Sequence, residues 1–372
     1  MVRKIRVLFD ANPLVKQKTG VGFYTEGLIK ALSEIPELEL SGHFFAGRGP
    51  VSELPKAKNL SYTSNSWLVG MLAKGLRKLG IRLPWELLAR RRADVLLFPD
   101  FTTWPSLFGK PEIVVVHDLT YIDLPQFVRK RNLKYLQRYV KRDAQRAALV
   151  LTISEFTKRR LMEAFSLPAG KILVEPIPPA KTIAAKKISG LPKKFILFIG
   201  TIEPRKNLGN LLEAYALLPD DLKGEYALVI AGGSGWDSQE TLARIKQFQT
   251  DKLNIVALGY VDPPTRSALY QQAAVVAVPS FYEGFGMPVL EAMSYKAPVI
   301  ASSIDALKEV GGQAAMYFDP HSVDSIRNCL IKVLSDSNLR KKQVEQGTKR
   351  LKNYSWQSVA ADIYKEIERL AG

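Results

Sequence analysis

Short, mostly apolar runs, rich in β-branched side chains, alternate along this chain with longer amphipathic stretches. In the first half the runs fall at residues 5–9, 38–45, 95–98, 113–116 and 149–152. In the second they fall at 195–199, 226–231, 254–258, 275–278, 298–301 and 316–318. Near-continuous hydrophobicity over so few positions suits a strand covered on both faces, and the intervening helices supply the cover. The pattern therefore predicts an α/β protein with two parallel, Rossmann-like sheets. Residues 176–194, PIPPAKTIAAKKISGLPKK, interrupt it with prolines, small residues and lysines, so the linker is expected there. The expected domains are 1–178 and 195–354, joined by 179–194, with a last amphipathic helix at about 355–372 crossing back onto the first. Two such halves would face each other across a cleft at the carboxyl ends of their strands, where these folds bind ligands.

The length supports this division, because 372 residues exceed the roughly 250–300 at which single cores stop growing. With 47% apolar and 24% charged residues, the composition is that of a soluble globular protein. No apolar stretch approaches the roughly 18 residues of a membrane span, and the N-terminal run reads as a strand rather than a signal peptide. The single cysteine, Cys329, cannot form an intrachain disulfide and argues against cysteine-ligated zinc. A cytoplasmic location follows as the simplest expectation. The net charge of +17 is uneven: residues 1–178 carry 29 Lys and Arg against 16 Asp and Glu, a net of +13. A basic half of this kind expects an acidic partner, whether nucleic acid, anionic lipid or phosphorylated substrate.

Four loops, each placed after a predicted strand, carry candidate chemistry. In KTGVGFY, residues 18–24, Gly20 and Gly22 would let backbone N–H groups approach a phosphate at a helix N-terminus, although a plain turn explains them as well. The loop lacks the third glycine of a dinucleotide motif. His117 and Asp118 follow the run at 113–116 and would face the ligand side, while a histidine satisfied within the core is the alternative. GTIEPRKN, residues 200–207, puts Arg205 and Lys206 where a helix start already favours negative charge. Two cations there suit a diphosphate, which a guanidinium grips in bidentate fashion. PSFYEGFGMPVLEAM, residues 279–293, has Glu283 before a glycine-containing turn and Glu291 about one turn into the helix that Pro288 opens. A carboxylate accepts sugar or ribose hydroxyls, and the backbone N–H groups around Phe285, Gly286, Met287 and Val289 can hold phosphate. Stabilisation of the helix dipole would account for Glu291 alone.

These residues together resemble the large family of retaining nucleotide-sugar glycosyltransferases with two Rossmann-like domains (family 4, GT-B fold). EGFGMPVLE is similar to that family's E-x7-E signature. KTGVGFY, VHDLTYIDLP, LTISEFTKRRL, GTIEPRKN, LVIAGG, LGYV and the run to YFDP follow in the family's order over essentially the whole chain. The nearest flavour is that of bacterial mannosyltransferases of O-antigen and related polysaccharide pathways. The resemblance implies that Arg205 and Lys206 hold the donor diphosphate, helped by the backbone near Gly20 and Gly22. It implies that Glu291 holds the ribose, the backbone of Tyr260 and Val261 reads the base, and Glu283 with Phe285, Gly286 and Met287 holds the transferred sugar. His117 would lie beside the reacting face of that sugar and hydrogen-bond a sugar hydroxyl or help stabilise developing charge, so that His117, Glu283, Arg205 and Lys206 are the implied catalytic residues. The implied reaction retains anomeric configuration, uses a nucleotide-sugar as substrate and needs no cofactor and no divalent metal. GDP-mannose is the best-matched donor, with UDP-, ADP- and dTDP-sugars as alternatives. Thr201, where many members have arginine, and Lys308, where proline is common, depart from the pattern.

Acceptors in this family are glycans or lipid-linked molecules held mainly by the N-terminal domain. Residues 67–92 mix Trp67, Leu68, Met71, Leu72, Leu76 and Leu79 with Lys74, Arg77, Lys78 and Arg82, and residues 129–146 place Lys134, Arg138, Lys141 and Arg142 at helical spacing. Both read as basic amphipathic helices suited to an anionic membrane surface, or as helices that pack on the sheet and solvate their charges. A peripheral site on the inner face of the cell membrane is the matching location. Nucleic acid is not expected as a partner, since aromatic residues are sparse among the cations. A nucleotide-sugar epimerase would share the fold without needing an acceptor, and a non-catalytic nucleotide-sugar binder would share the site residues.

Overall fold

The computed structural model describes residues 3–15, 20–47, 53–180, 182–184, 188 and 190–372. The chain forms two compact units. The first contains Met1–Ile122, Lys130–Ile177 and Ser355–Gly372; the second contains Asp123–Arg129 and Pro178–Tyr354.

The first unit is built on a seven-stranded sheet of β1 (Ile5–Asp10), β2 (Leu38–Ala46), β3 (Leu60–Ser66), β4 (Val95–Phe98), β5 (Glu112–Val115), β6 (Leu149–Thr152) and β7 (Ile172–Val174). The order is β3-β2-β1-β4-β5-β6-β7, and every pairing is parallel. β4, β5 and β6 are buried at every position, as unbroken apolar runs require. Two strands escape the hydrophobic pattern. β3, LSYTSNS, is a half-exposed edge strand whose positions are polar after Leu60 apart from Tyr62, and β7 spans only three residues.

The second unit has six parallel strands, β8 (Phe195–Ile199), β9 (Ala227–Ala231), β10 (Ile255–Gly259), β11 (Val275–Val278), β12 (Val299–Ser302) and β13 (Ala315–Phe318), in the order β10-β9-β8-β11-β12-β13. Its core joins Ile196, Phe198, Leu228, Ile230 and Ile300 to Leu211, Leu212, Tyr215, Leu330 and Val333 of the covering helices. Cys329 lies buried on one of these, Val323–Ser335.

The helix Trp356–Ala371 belongs to the first unit. It packs on the helix Gly20–Leu32, where Gly27 admits the indole of Trp356: a Cβ on Gly27 would lie 2.2 Å from that ring. Ser355 caps its N-terminus by accepting from Ser358 N, a favoured use of serine.

The two basic stretches depart from their expected form. Residues 67–92 are not one helix: Trp67–Lys78 and Trp85–Ala89 are separated by a turn in which Gly80 has φ +88°. Arg77 is only 3% exposed and so cannot meet a membrane. Its guanidinium lies 4.3 Å from the centre of the Tyr139 ring and donates to buried Asp143 at 2.5 Å, which Arg82, Arg142 and the Thr103 N–H also reach. Burial of a carboxylate demands this pairing. On the helix Trp67–Lys78, Leu68, Met71 and Leu72 are exposed, as are Lys74 and Lys78. Leu79 and Ile81 extend the exposed apolar row beyond it. On the helix Lys130–Arg146, Lys134, Arg138, Lys141 and Arg142 remain at the surface.

Candidate active site

In the second unit the strand order reverses between β8 and β11. Connections leave such neighbours towards opposite faces of the sheet, and the gap at their carboxyl ends is where open α/β sheets take ligands. The loops entering that position are 200–207 and 279–286. Pro204–Lys206 forms one 3-10 turn, and Asn207 turns left-handed (φ 54°) before the helix Leu208–Ala216 begins. Arg205 and Lys206 thus precede the helix rather than occupying its first turn. The buried Asn207 amide donates to Pro279 O (2.9 Å) and Pro320 O (2.8 Å), and Phe281 N donates to Arg205 O (2.9 Å). These bonds fasten the two loops together.

Glu283, 7% exposed, sits at their junction. Arg205 Nη1 donates to its Oε2 at 2.8 Å; Lys206 Nζ and Ser280 Oγ donate to its Oε1 at 2.6 and 2.7 Å. Burial on its own would raise the carboxyl, but Arg205 and Lys206 outweigh it and hold Glu283 at about 2. Arg205 also donates to Tyr282 O (2.7 Å) and to Glu203 Oε1 (2.8 Å). Two cations and two carboxylates therefore balance within the cluster. An entering diphosphate can exchange with the carboxylates for the cations, which frees the Glu283 oxygens to accept hydroxyls.

The same loop leads into the helix Met287–Ser294. Gly286, its N-cap, has φ +119°, and a Cβ there would lie 2.5 Å from Leu307 Cδ2. Only glycine fits on both counts. No side chain caps this end, and Pro288 stands in the first turn, so the helix presents its positive end to the loop. Phe285 and Val289 are buried, while Met287 and Pro288 are half-buried. Glu291 has partners separate from those of Glu283: Arg266 at 3.2 Å and the buried Tyr270 hydroxyl at 2.7 Å. Tyr260 is 67% exposed just past β10, and Val261 beside it is half-buried.

In the first unit His117 lies just past β5 and is nearly buried. Its Nε2 is 2.8 Å from Pro99 O. A carbonyl only accepts, so Nε2 carries the proton and the neutral ring keeps Nδ1 as an acceptor. Burial lowers its pKa against the pull of Pro99 O, Asp100 and Asp118, which favours that neutral form. The ring packs edge-on to Tyr24 (5.0 Å) and Phe101 (5.5 Å). Asp118 accepts from Thr120 N at 2.9 Å. Gly20 and Gly22 lie in the first turn of the helix Gly20–Leu32; Lys18 and Thr19 are outside the described residues. Thr201 and Lys308 are exposed. Among the described residues no group of three His, Cys, Asp or Glu is placed to hold a metal ion, and no helix is long and apolar enough to cross a membrane.

Glu203, Ser280, Tyr282, Arg266 and Tyr270 were not anticipated. Glu203, Ser280 and Tyr282 stand within the singled-out loops, so adjacency was an available signal, whereas Arg266 and Tyr270 reach Glu291 only through folding.

Residues 20–177 match Glycosyltransferase Family 4 and residues 180–350 match Glycosyl transferases group 1. The O-antigen chain mannosyltransferase B of Escherichia coli is 31% identical over 95% of this chain and 97% of its own. The Serotype-specific mannosyltransferase WbdA of Escherichia coli is 27% identical over 69% of this chain, which covers a third (33%) of that longer protein. Among solved structures, the sucrose-phosphate synthase of Thermosynechococcus elongatus aligns over 99% of both chains with a TM-score of 0.75 at 17% identity. With two parallel-sheet Rossmann-like domains and a relative of this identity over nearly its full length, the chain belongs to the family 4 (group 1) glycosyltransferases of GT-B fold.

Proposed function

We propose that this glycosyltransferase moves mannose from GDP-mannose to a glycan or lipid-linked acceptor in cell-surface polysaccharide or glycolipid synthesis, with retention of configuration and without a divalent metal. The observation that carries the reading is Glu283 held between Arg205 and Lys206 where the strand order of the second unit reverses. The mannose assignment draws on the O-antigen mannosyltransferase relative.

Arg205 and Lys206 take the diphosphate, aided by the uncapped helix start at Gly286 and Met287; Val289, expected to share this role, has its N–H already donated to Gly286 O. Glu283 accepts hydroxyls of the transferred sugar, Glu291 accepts those of the ribose, and the backbone of Tyr260 and Val261 meets the base. His117, neutral and protonated on Nε2, offers Nδ1 to a sugar hydroxyl rather than acting as an acid. In the transfer the acceptor oxygen bonds to the anomeric carbon as that carbon's bond to the phosphate oxygen breaks. The leaving phosphate, on the same face, takes the acceptor's proton. Stabilising its charge is the main catalytic contribution, and one well-placed group supplies about 3–4 kcal/mol. The row Leu68, Met71, Leu72, Leu79 and Ile81 with Lys74 and Lys78 suits peripheral attachment to an anionic membrane face.

Thermal shift with GDP, UDP, ADP and dTDP and their sugar conjugates, with and without EDTA, is the decisive measurement. GDP and GDP-mannose should stabilise the protein equally in EDTA, by about 2.7 kcal/mol at a hundred times the dissociation constant. A shift with UDP alone would replace the donor, and no shift with any nucleotide would sink the reading.

A further inference from the structure

Asp123–Arg129 stands in sequence among residues of the first unit yet packs within the second. Two side chains hold it against the loop that carries Glu283. The Tyr282 hydroxyl donates to Asp123 Oδ2 at 2.9 Å. Phe127 stacks on Phe281, with ring centres 5.6 Å apart and planes within 6°, and Phe281 also stacks with His321 at 4.9 Å. Phe281 and Tyr282 are the two residues immediately before Glu283.

Tyr282 is buried and anchored at both ends: Arg205 donates to its carbonyl at 2.7 Å, and Asp123 accepts from its hydroxyl. A tyrosine has only two side-chain torsions, so fixing its hydroxyl and its carbonyl fixes the backbone between them, one bond before Glu283. The loop needs this support. It has no regular secondary structure, and Gly284 and Gly286 leave its backbone a wide choice of conformations.

We propose that Asp123 and Phe127 are positioning residues of the transferase site, setting the place of the Glu283 carboxylate through Tyr282 and Phe281. The proposal rests on Glu283 handling the donor sugar. Their contacts reach Glu283 through Tyr282 and Phe281, so their loss should act on turnover more than on donor binding.

The test compares Asp123→Ala, Asp123→Asn, Tyr282→Phe and the Asp123→Ala/Tyr282→Phe double variant. It reads kcat and KM for GDP-mannose, and amide hydrogen exchange over residues 279–286 without donor. Misplacement of a reacting group by part of an ångström predicts kcat about tenfold lower in each of Asp123→Ala and Tyr282→Phe, with KM within about threefold. The double variant should be no slower than either single one, because both cut the same link. Asp123→Asn keeps an acceptor oxygen and should retain most of the rate. Exchange over 279–286 should quicken in Asp123→Ala. Unchanged kcat, or effects that multiply in the double variant, would overturn the proposal. If the wild type does not turn over GDP-mannose, the donor reading fails instead, and the exchange measurement alone decides: unchanged protection overturns the positioning role, and faster exchange supports it.

Discussion

Glu283 and Glu175 are both buried carboxyls, and their surroundings push them in opposite directions. Glu283 is held at about 2 against its burial by Arg205 and Lys206. A carboxylate depressed below its unfolded value near 4.5 stabilises the fold above that pH, and the contribution drains away as pH falls towards about 2. Glu283→Gln should therefore flatten the acid limb of unfolding and cost about 3 kcal/mol at pH 7. Glu283→Ala should cut transfer by at least about a hundredfold while GDP binding stays within a few-fold. Arg205→Ala should weaken both, since it removes a phosphate ligand and the clamp on Tyr282 and Glu283. Glu175, at the end of β7, is raised to about 8, first by burial and then by Asp362, with Lys365 opposing. Its contribution is complete below about pH 4.5 and is lost as pH rises through 8, the reverse window. Glu175→Gln should raise the melting temperature at pH 9 and leave it unchanged at pH 4.

Elements with a strong hydrophobic signature were readable and those without one were not. β4, β8 and β11 carry unbroken apolar runs, β6 one broken only by its last residue Thr152, and all four begin and end where the pattern puts them. β3 was invisible because an edge strand can be polar on both faces, and β7 because three residues make no period. The pattern over 67–92 concealed a turn at Gly80 and the inward course of Arg77. This separates two kinds of substitution in one region. Leu72→Glu and Leu79→Glu should abolish sedimentation with anionic vesicles and barely move the melting temperature. Arg77→Ala should cost about 3–5 kcal/mol, because Asp143 loses its closest cation in a buried site. Gly27→Ala should destabilise by about 1–3 kcal/mol through overpacking against Trp356, read in chemical denaturation.

At the scale of the whole molecule, alternation of strand and helix was enough to give two α/β units, and motif position after strands picked out the two loops that meet beside β8 and β11. The partners Asp123 and Arg266 were out of reach of both, because nothing in local sequence says which distant side chain a loop will meet. The charge of the first 178 residues is likewise only partly surface charge, since Arg77 is consumed inside. Vesicle binding should therefore fall with salt according to the exposed lysines, and Lys74→Gln/Lys78→Gln should reduce that salt dependence.

The helix Trp356–Ala371 completes the first unit although it is the last element of this sequence. As the chain emerges during synthesis, N-terminal end first, residues up to Tyr354 can close the second unit while the first still lacks the helix that covers Gly27. The half that begins folding earliest is thus the last to be finished, and its uncovered surface is the one a chaperone or a protease would meet on a nascent chain.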